Sequence, residues 1–467
     1  MKKNVLFLIG LTLTAICATA QNTLSDRLAK AYAIFEKDSQ LKYAISSLYI
    51  INANTGRVIF DKNSRVGLAP ASTQKVITGA TAFELLGKDY CFKTTWGYQG
   101  TLTNGGLHGN LIVTGHGDPT LGSKRFETTR ASVILSKWTS LLKQQNISHI
   151  EGSILNDTRH WESQSIPNAW IWEDIGNYFG AGASSLNWLE NQYDVVLRSG
   201  PAAGDPVRVV RTVPELPSVR LISELTSGPK GSGDKAFIYL PPQASVGYIR
   251  GSIPLGESSF TISGSLPDPG KTLIQQFKNT LRSAGISISE TKNETGFSDT
   301  SYSTLPLFIS YSPALDSINY WFLQKSINLY GEALLKAIAF EKTGRGSTGV
   351  GIKLLKDRWK QEGLDENELN IFDGSGLSPQ NRITTHAQAA ILKHARQQSW
   401  FPLYFSGFPV YNGIKMKSGT IRDVKGFCGY HTSKSGEEYI FSFLVNNYNG
   451  SPASLVRKMY TVLNELK

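Results

Sequence analysis

Ser72 and Lys75 stand three residues apart in the stretch Ala69-Pro70-Ala71-Ser72-Thr73-Gln74-Lys75-Val76-Ile77. A serine hydroxyl attacks a carbonyl only when a neighbour takes its proton, and a lysine amine does so only where its surroundings keep it neutral. Pro70 and Ser72 are helix-start residues, Val76, Ile77, Ala80, Phe83 and Leu86 recur at helical spacing, and Gly87 stands where a helix stops. The pattern predicts a mostly buried helix with Ser72 and Lys75 on one face of its first turn. There the helix N-terminus favours negative charge growing on an attacked carbonyl. The spacing alone is common, and a serine at such a position also serves as an ordinary cap. Partners elsewhere in the chain decide between the two.

Two later segments supply such partners. Ser326-Ile327-Asn328 falls between predicted helices over 317–324 and 329–341, and Lys417-Ser418-Gly419-Thr420 falls on a predicted strand over 414–420. The Ser326 hydroxyl could relay a proton to a leaving amine, and Asn328 offers both a donor and an acceptor to a substrate amide. Positive charge on Lys417 would help keep Lys75 neutral and attract a substrate carboxylate. The hydroxyls of Ser418 and Thr420 can bind that carboxylate, while Gly419 leaves room for a substrate along the strand edge. Backbone N–H groups of Ser72 and Thr420 would form an oxyanion hole, worth about 3 kcal/mol per donor.

The elements that must bring these segments together are legible on either side of a long insertion. A helix over 24–35 and strands over 47–52 and 57–61, joined by Ala53-Asn54-Thr55-Gly56, precede Ser72. From about residue 89 short strands and turns dominate, with helices over 130–145 and 272–285. Trp161, Trp170, Trp172 and Trp188 form a Trp-rich patch, which packs a β domain or stacks on sugars. From residue 316 the pattern is helical again, and strands over 414–420, 425–430 and 439–446 lead to a closing helix over 453–466. With no fixed-period repeat, this is an α+β domain interrupted by a β-rich insertion.

Composition narrows the function classes. The chain has 467 residues, more than one core usually fills, and 40% hydrophobic against 18% charged residues excludes a disordered protein. Lys2, Lys3, an apolar run from Val5 to Cys17 and Ala18-Thr19-Ala20 predict an export signal over 1–20, cleaved before Gln21. Bulky Ile16 disfavours lipidation at Cys17. Only Cys91 and Cys428 remain after cleavage, so one disulfide at most is open to the mature chain. The net charge of +11 is dispersed, without a basic run or nucleic-acid motif. It therefore points to an anionic cell-surface polymer rather than nucleic acid, and it allows peripheral contact with a membrane surface. The sequence leaves the oligomeric state open.

Taken in order, Ser72-Thr73-Gln74-Lys75, Ser326-Ile327-Asn328 and Lys417-Ser418-Gly419-Thr420 match the three-motif set of penicillin-recognising acyl-transfer enzymes. With Gly117-Asp118-Pro119-Thr120-Leu121, Gly176-Asn177-Tyr178-Phe179-Gly180-Ala181 and Asp373-Gly374-Ser375-Gly376-Leu377-Ser378, the chain resembles the D-Ala-D-Ala carboxypeptidase/endopeptidase family of low-molecular-mass class C penicillin-binding proteins.

The resemblance implies a transpeptidase-like catalytic domain, an antiparallel sheet flanked by helices, over 21–88 and 297–467. It implies an inserted domain over 89–165 and 226–296, and a further one over 166–225. It also implies peptidoglycan stem peptides and cross-links as substrates, an acyl-enzyme on Ser72, trapping by β-lactam antibiotics, and a periplasmic location. Similar enzymes hold a diaminopimelate side chain with an Asp and an aromatic residue of the insertion, for which Asp157 and Trp161 are the candidates. Ile327 replaces the frequent Asp of the second motif, while Ser418 and Thr420 exchange one hydroxyl residue for another.

Competing chemistries are weaker. No His-Glu-Xaa-Xaa-His pair or histidine cluster suggests a metal, and no cofactor is expected. Gly344-Arg345-Gly346-Ser347-Thr348-Gly349 spells a dinucleotide fingerprint but follows a helix, so it reads as a loop. A serine β-lactamase and a catalytically idle peptidoglycan-binding protein are the alternatives.

Overall fold

The strand Glu438–Asn446 is buried at seven successive positions, which requires cover on both faces of its sheet. In the computed structural model, which describes residues 23–103, 105–289 and 303–467, it lies inside a six-stranded antiparallel sheet. The order is Val410–Tyr411, Ile414–Ile421, Val424–Thr432, Glu438–Asn446, Ile45–Asn52, Val58–Lys62. Alternation along the strands sorts the two covers. Phe441, Phe443 and Val445 meet Leu28, Tyr32, Leu455 and Met459 of the first and last helices, Leu24–Glu36 and Pro452–Leu463. Ile440 and Leu444 face the helices Lys75–Leu85, Asn328–Thr343 and Thr385–Arg396. The export signal expected over 1–20 lies outside the described residues.

The insertion builds two further β units. One is a sheet ordered Ser287–Ser289, His149–Glu151, Gly106–Gly115, Lys93–Thr103, Leu305–Tyr311, with Ile154–Asp157 also beside Gly106–Gly115. Helices Ala131–Gln144 and Pro269–Ser283 close over it around Trp96, Trp138 and Phe277. The other unit pairs two three-stranded sheets around a core that includes Tyr193, Leu225, Ile249 and Ile262.

Packing therefore moves two boundaries. The strands Lys235–Tyr239, Val246–Pro254 and Phe260–Ser265 belong to the smaller unit, not to the stretch 226–296 of the first inserted domain. Val246–Pro254 pairs in parallel with Arg220–Gly228, a long-range choice that strand periodicity does not encode. Leu305–Tyr311, expected in the catalytic domain over 21–88 and 297–467, the outer domain around the insertion, joins the inserted sheet through Lys93–Thr103.

Between Ile154–Asp157 and Gln192–Arg198 the chain crosses back over the outer domain. Buried Lys336 donates to the carbonyls of Gln164 (2.7 Å) and Ala183 (2.9 Å) and lies 3.2 Å from Glu162. Ser378 Oγ donates to the Ala169 carbonyl at 3.1 Å. This crossing segment reaches the cleft described next.

Candidate active site

Ser72 sits in a 3-10 turn, Ala71–Gln74, that runs into the α-helix Lys75–Leu85. The tighter turn, in place of the predicted α-helical one, starts from Ala71 in the left-handed region at φ 46°. Lys75 is fully buried, and its Nζ lies 2.9 Å from Ser72 Oγ, 2.7 Å from Asn328 Oδ1 and 2.7 Å from the Ser375 carbonyl. A neutral amine has two N–H bonds and one lone pair. Asn328 and Ser375 accept the two N–H bonds, which leaves the lone pair for the Ser72 hydroxyl proton. Burial, followed by the charge of Lys417, drives the Lys75 pKa well below its ordinary value, against the opposing pull of Asp373 and Glu332.

Ser326 occupies the helix joint at φ 56°, a left-handed conformation that a serine adopts only under tertiary constraint. Lys417 Nζ donates to its Oγ at 2.9 Å and to the Ser418 carbonyl at 2.8 Å, and burial pushes the Lys417 pKa down to about 7. Ile327, the departure in the second motif, packs into the core beneath. Asn328 Nδ2 donates to the Phe179 carbonyl at 2.7 Å, so the crossing segment braces the same amide that holds Lys75.

Gly419 is required by close approach. A Cβ there would stand 2.6 Å from the Pro70 carbonyl oxygen and 2.8 Å from the Ser72 nitrogen. That contact brings the strand beside the Ser72 N–H, as an oxyanion hole formed with Thr420 needs. Ser418 and Thr420 share a strand face, and Thr420 lines the cleft. The edge strand Val410–Tyr411 pairs with Ile414 and Lys415, and Met416 N still donates to the Pro409 carbonyl at 2.9 Å, so the edge is without a strand partner among the described residues from Lys417 onward.

The resulting cleft has a volume of about 490 Å³. Ser72, Ser326, Asn328 and Thr420 line it, opposite Glu173, Asp174, Tyr178, Phe179 and Phe237 of the insertion. Burial and neighbouring Glu173 push the Asp174 carboxyl up to about 6.

Asp157 and Trp161 are not among the lining residues. Asp157 ends the strand Ile154–Asp157, where it is buried and paired with Arg159 at 2.8 Å. Trp161 is packed between Gly117 and Gly346, where a Cβ on either glycine would come within 2.3 Å of its ring. The structure thus places Asp157 in an ion pair and Trp161 in packing between segments, outside the cleft lined by Ser72. Of the other tryptophans, Trp170 and Trp188 are buried and only Trp172 is exposed.

Sequence reasoning assigned no role to the residues behind Lys75. Asp373, fully buried, accepts from Gln74 Nε2 (3.0 Å), Gly376 N (2.8 Å), Asn381 Nδ2 (3.0 Å) and Trp170 Nε1 (2.8 Å). It thereby fixes the loop whose Ser375 carbonyl faces Lys75. Glu332 Oε2 accepts from Gly374 N at 3.0 Å, and burial raises its carboxyl to about 8. The glycine- and serine-rich spelling of 373–378 was the available signal. Cys91 and Cys428 are free thiols, and no cluster of His, Cys, Asp and Glu suited to a metal occurs among the described residues.

The family model of the D-Ala-D-Ala carboxypeptidase 3 (S13) family matches residues 28–413. A D-alanyl-D-alanine carboxypeptidase of an Actinomadura species is 25% identical over 449 residues, spanning 91% of this chain and 81% of that protein. The D-alanyl-D-alanine carboxypeptidase DacB of Haemophilus influenzae is 23% identical over 418 residues, spanning 85% and 84%. The crystal structure of penicillin binding protein 4 from Haemophilus influenzae superposes with a TM-score of 0.78 at 22% identity, covering 94% of this chain and 99% of that one. Its complex with a novel β-lactam gives 0.71 at 20% identity, covering 94% and 98%.

Proposed function

The chain belongs to the D-Ala-D-Ala carboxypeptidase 3 (S13) family, and from that premise we propose how its cleft performs the reaction. The protein is a serine D-Ala-D-Ala carboxypeptidase, and its proposed substrates are peptidoglycan stem peptides and, as a DD-endopeptidase, the cross-links built on the same type of bond. A stem peptide lies along the free edge of Ile414–Ile421, pairing backbone to backbone, with its terminal carboxylate at Thr420 and Ser418. Lys75 takes the hydroxyl proton as Ser72 Oγ bonds to the carbonyl carbon of the penultimate residue. The N–H groups of Ser72 and Thr420 hold the oxyanion.

When the C–N bond breaks, the leaving amine receives a proton through the Ser326 hydroxyl, which Lys417 supports electrostatically. Water then attacks the Ser72 ester and releases the shortened peptide. A β-lactam follows the same first step and remains attached because its leaving group stays tethered to the acyl chain.

Glu173 and Asp174 are the acids of the insertion that face the cleft. Glu173 is paired with Arg422 at 2.9 Å, so Asp174 is the one suited to the free ammonium of a diamino-acid side chain, the role expected of Asp157. The three-way contact of Lys75 Nζ with Ser72, Asn328 and Ser375 carries the reading. No helix among the described residues is long and apolar enough to cross a membrane. The export signal read over 1–20 is what supports delivery to the periplasm.

The test is a comparison of diacetyl-Lys-D-Ala-D-Ala with benzylpenicillin. Release of D-Ala from the peptide, with slow release of penicilloate, supports the reading. Rapid lactam turnover without peptide cleavage means a β-lactamase, and neither reaction means a binding protein.

A further inference from the structure

Lys425 stands on the strand Val424–Thr432 directly opposite Thr420. It is more than nine-tenths buried, and its Nζ donates to Thr420 Oγ1 at 2.7 Å. The face of Phe427 lies 4.9 Å from the same ammonium. Among the described residues no carboxylate comes within ion-pair distance. Arg422, the other cation at this end of the cleft, is already paired with Glu173 at 2.9 Å. Burial lowers the Lys425 pKa to about 8, as expected of a desolvated ammonium without a counter-charge.

A threonine hydroxyl has one proton to give and two lone pairs to accept with. The ammonium of Lys425 occupies an acceptor position of Thr420, so the Thr420 proton must point elsewhere, and Thr420 lines the cleft. A carboxylate arriving there accepts that proton and supplies the missing counter-charge. A neutral amide or ester at the same place gains less, because hydrogen bonds to an ionised acceptor are the stronger ones.

We propose that Lys425 is a positioning residue that commits the Thr420 hydroxyl to donating toward the terminal carboxylate of the bound peptide, and so sets the preference for acyl donors with a free carboxylate. The proposal rests on the carboxypeptidase reading of this cleft and adds to it a residue outside its three motifs.

The experiment uses two thioesters of one acyl-D-Ala group, one releasing thioglycolate, which carries a carboxylate, and one releasing ethanethiol, which does not. The wild-type enzyme is expected to favour the thioglycolate ester. In Lys425→Met the ratio of kcat/KM between the two esters should fall roughly tenfold, mainly through KM of the carboxylate-bearing ester. Lys425→Arg, which restores a cation and a donor, should recover the ratio. A merely structural role for Lys425 would slow both esters together.

An unchanged ratio in Lys425→Met overturns the proposal while leaving the carboxypeptidase reading intact. Cleavage of neither ester by the wild-type enzyme removes both. Should Lys425→Met prove unfolded, Lys425→Ala, which likewise removes both the donor and the charge, takes its place, and retention of the full preference by that variant overturns the proposal.

Discussion

The indole N–H of Trp170 donates to Asp373 Oδ2 at 2.8 Å, joining the inserted segment to the loop that presents the Ser375 carbonyl to Lys75. Both partners are buried, so removing the donor leaves a carboxylate oxygen short of one bond. Trp170→Phe is expected to cost about 1–3 kcal/mol of stability. It should also slow penicillin acylation by loosening that loop. Thermal unfolding and acylation kinetics measure the two effects. An unaltered acylation rate would mean the brace does not reach the site.

Gly419→Ala places a methyl group 2.8 Å from the Ser72 nitrogen and 2.6 Å from the Pro70 oxygen. Neither atom belongs to a flexible side chain, so the strand and the Ser72 turn must separate. A displacement of this kind costs about a hundredfold in rate. Acylation rates of the folded variant, with its circular dichroism as control, check this.

The pH dependence of kcat/KM follows from the lysines. Lys75 must be neutral to accept a proton, so activity rises with pH on the acid side, through a pKa driven well below the ordinary lysine value. Lys417 at about 7 and Lys425 at about 8 must be charged to hold a carboxylate, so activity falls as pH rises through those values in the free enzyme. The expected profile is a bell. Peptide hydrolysis followed across the range tests it, and a rate still climbing above about pH 9 would contradict the carboxylate role of the lysines.

Glu332 links the site to stability. Its carboxyl is raised from the ordinary 4.5 to about 8, so the folded state keeps a proton that the unfolded chain releases. The contribution is therefore fully present below the unfolded value and is lost as pH rises toward the folded one. Glu332→Gln stays neutral throughout. Relative to wild type it should gain stability as pH rises from about 5 to about 8, read as a growing Tm difference. A difference independent of pH would show that Glu332 is ionised in the folded protein.

Much of this site was readable from residue types and spacing. Ser72, Lys75, Ser326, Asn328, Lys417 and Thr420 belong to three short segments whose motifs each fit a helix start, a helix joint or a strand, and the structure brings them into contact or into one cleft. The outer α+β architecture followed from the same periodicities.

What was hidden depends on long-range choices. Lys425 matters through the strand register that sets it against Thr420, and Glu332 reads in sequence as an ordinary helical glutamate. Asp174 lies in a Trp-rich stretch whose fold is set by contacts with the outer domain. Asp157 and Trp161 carried suitable chemistry, but their surroundings turned them toward Arg159 and toward Gly117 and Gly346. The parallel pairing of Val246–Pro254 with Arg220–Gly228 left no local trace either.

Peptide mapping of the protein after brief exposure to benzylpenicillin tests the central claim most directly, since it reads which side chain becomes acylated and whether Lys75 is needed. The account predicts one penicilloyl group, on Ser72, in the wild-type protein, and none in Ser72→Ala or Lys75→Ala over the same exposure. A penicilloyl group on another residue, or undiminished labelling of Lys75→Ala, would contradict it.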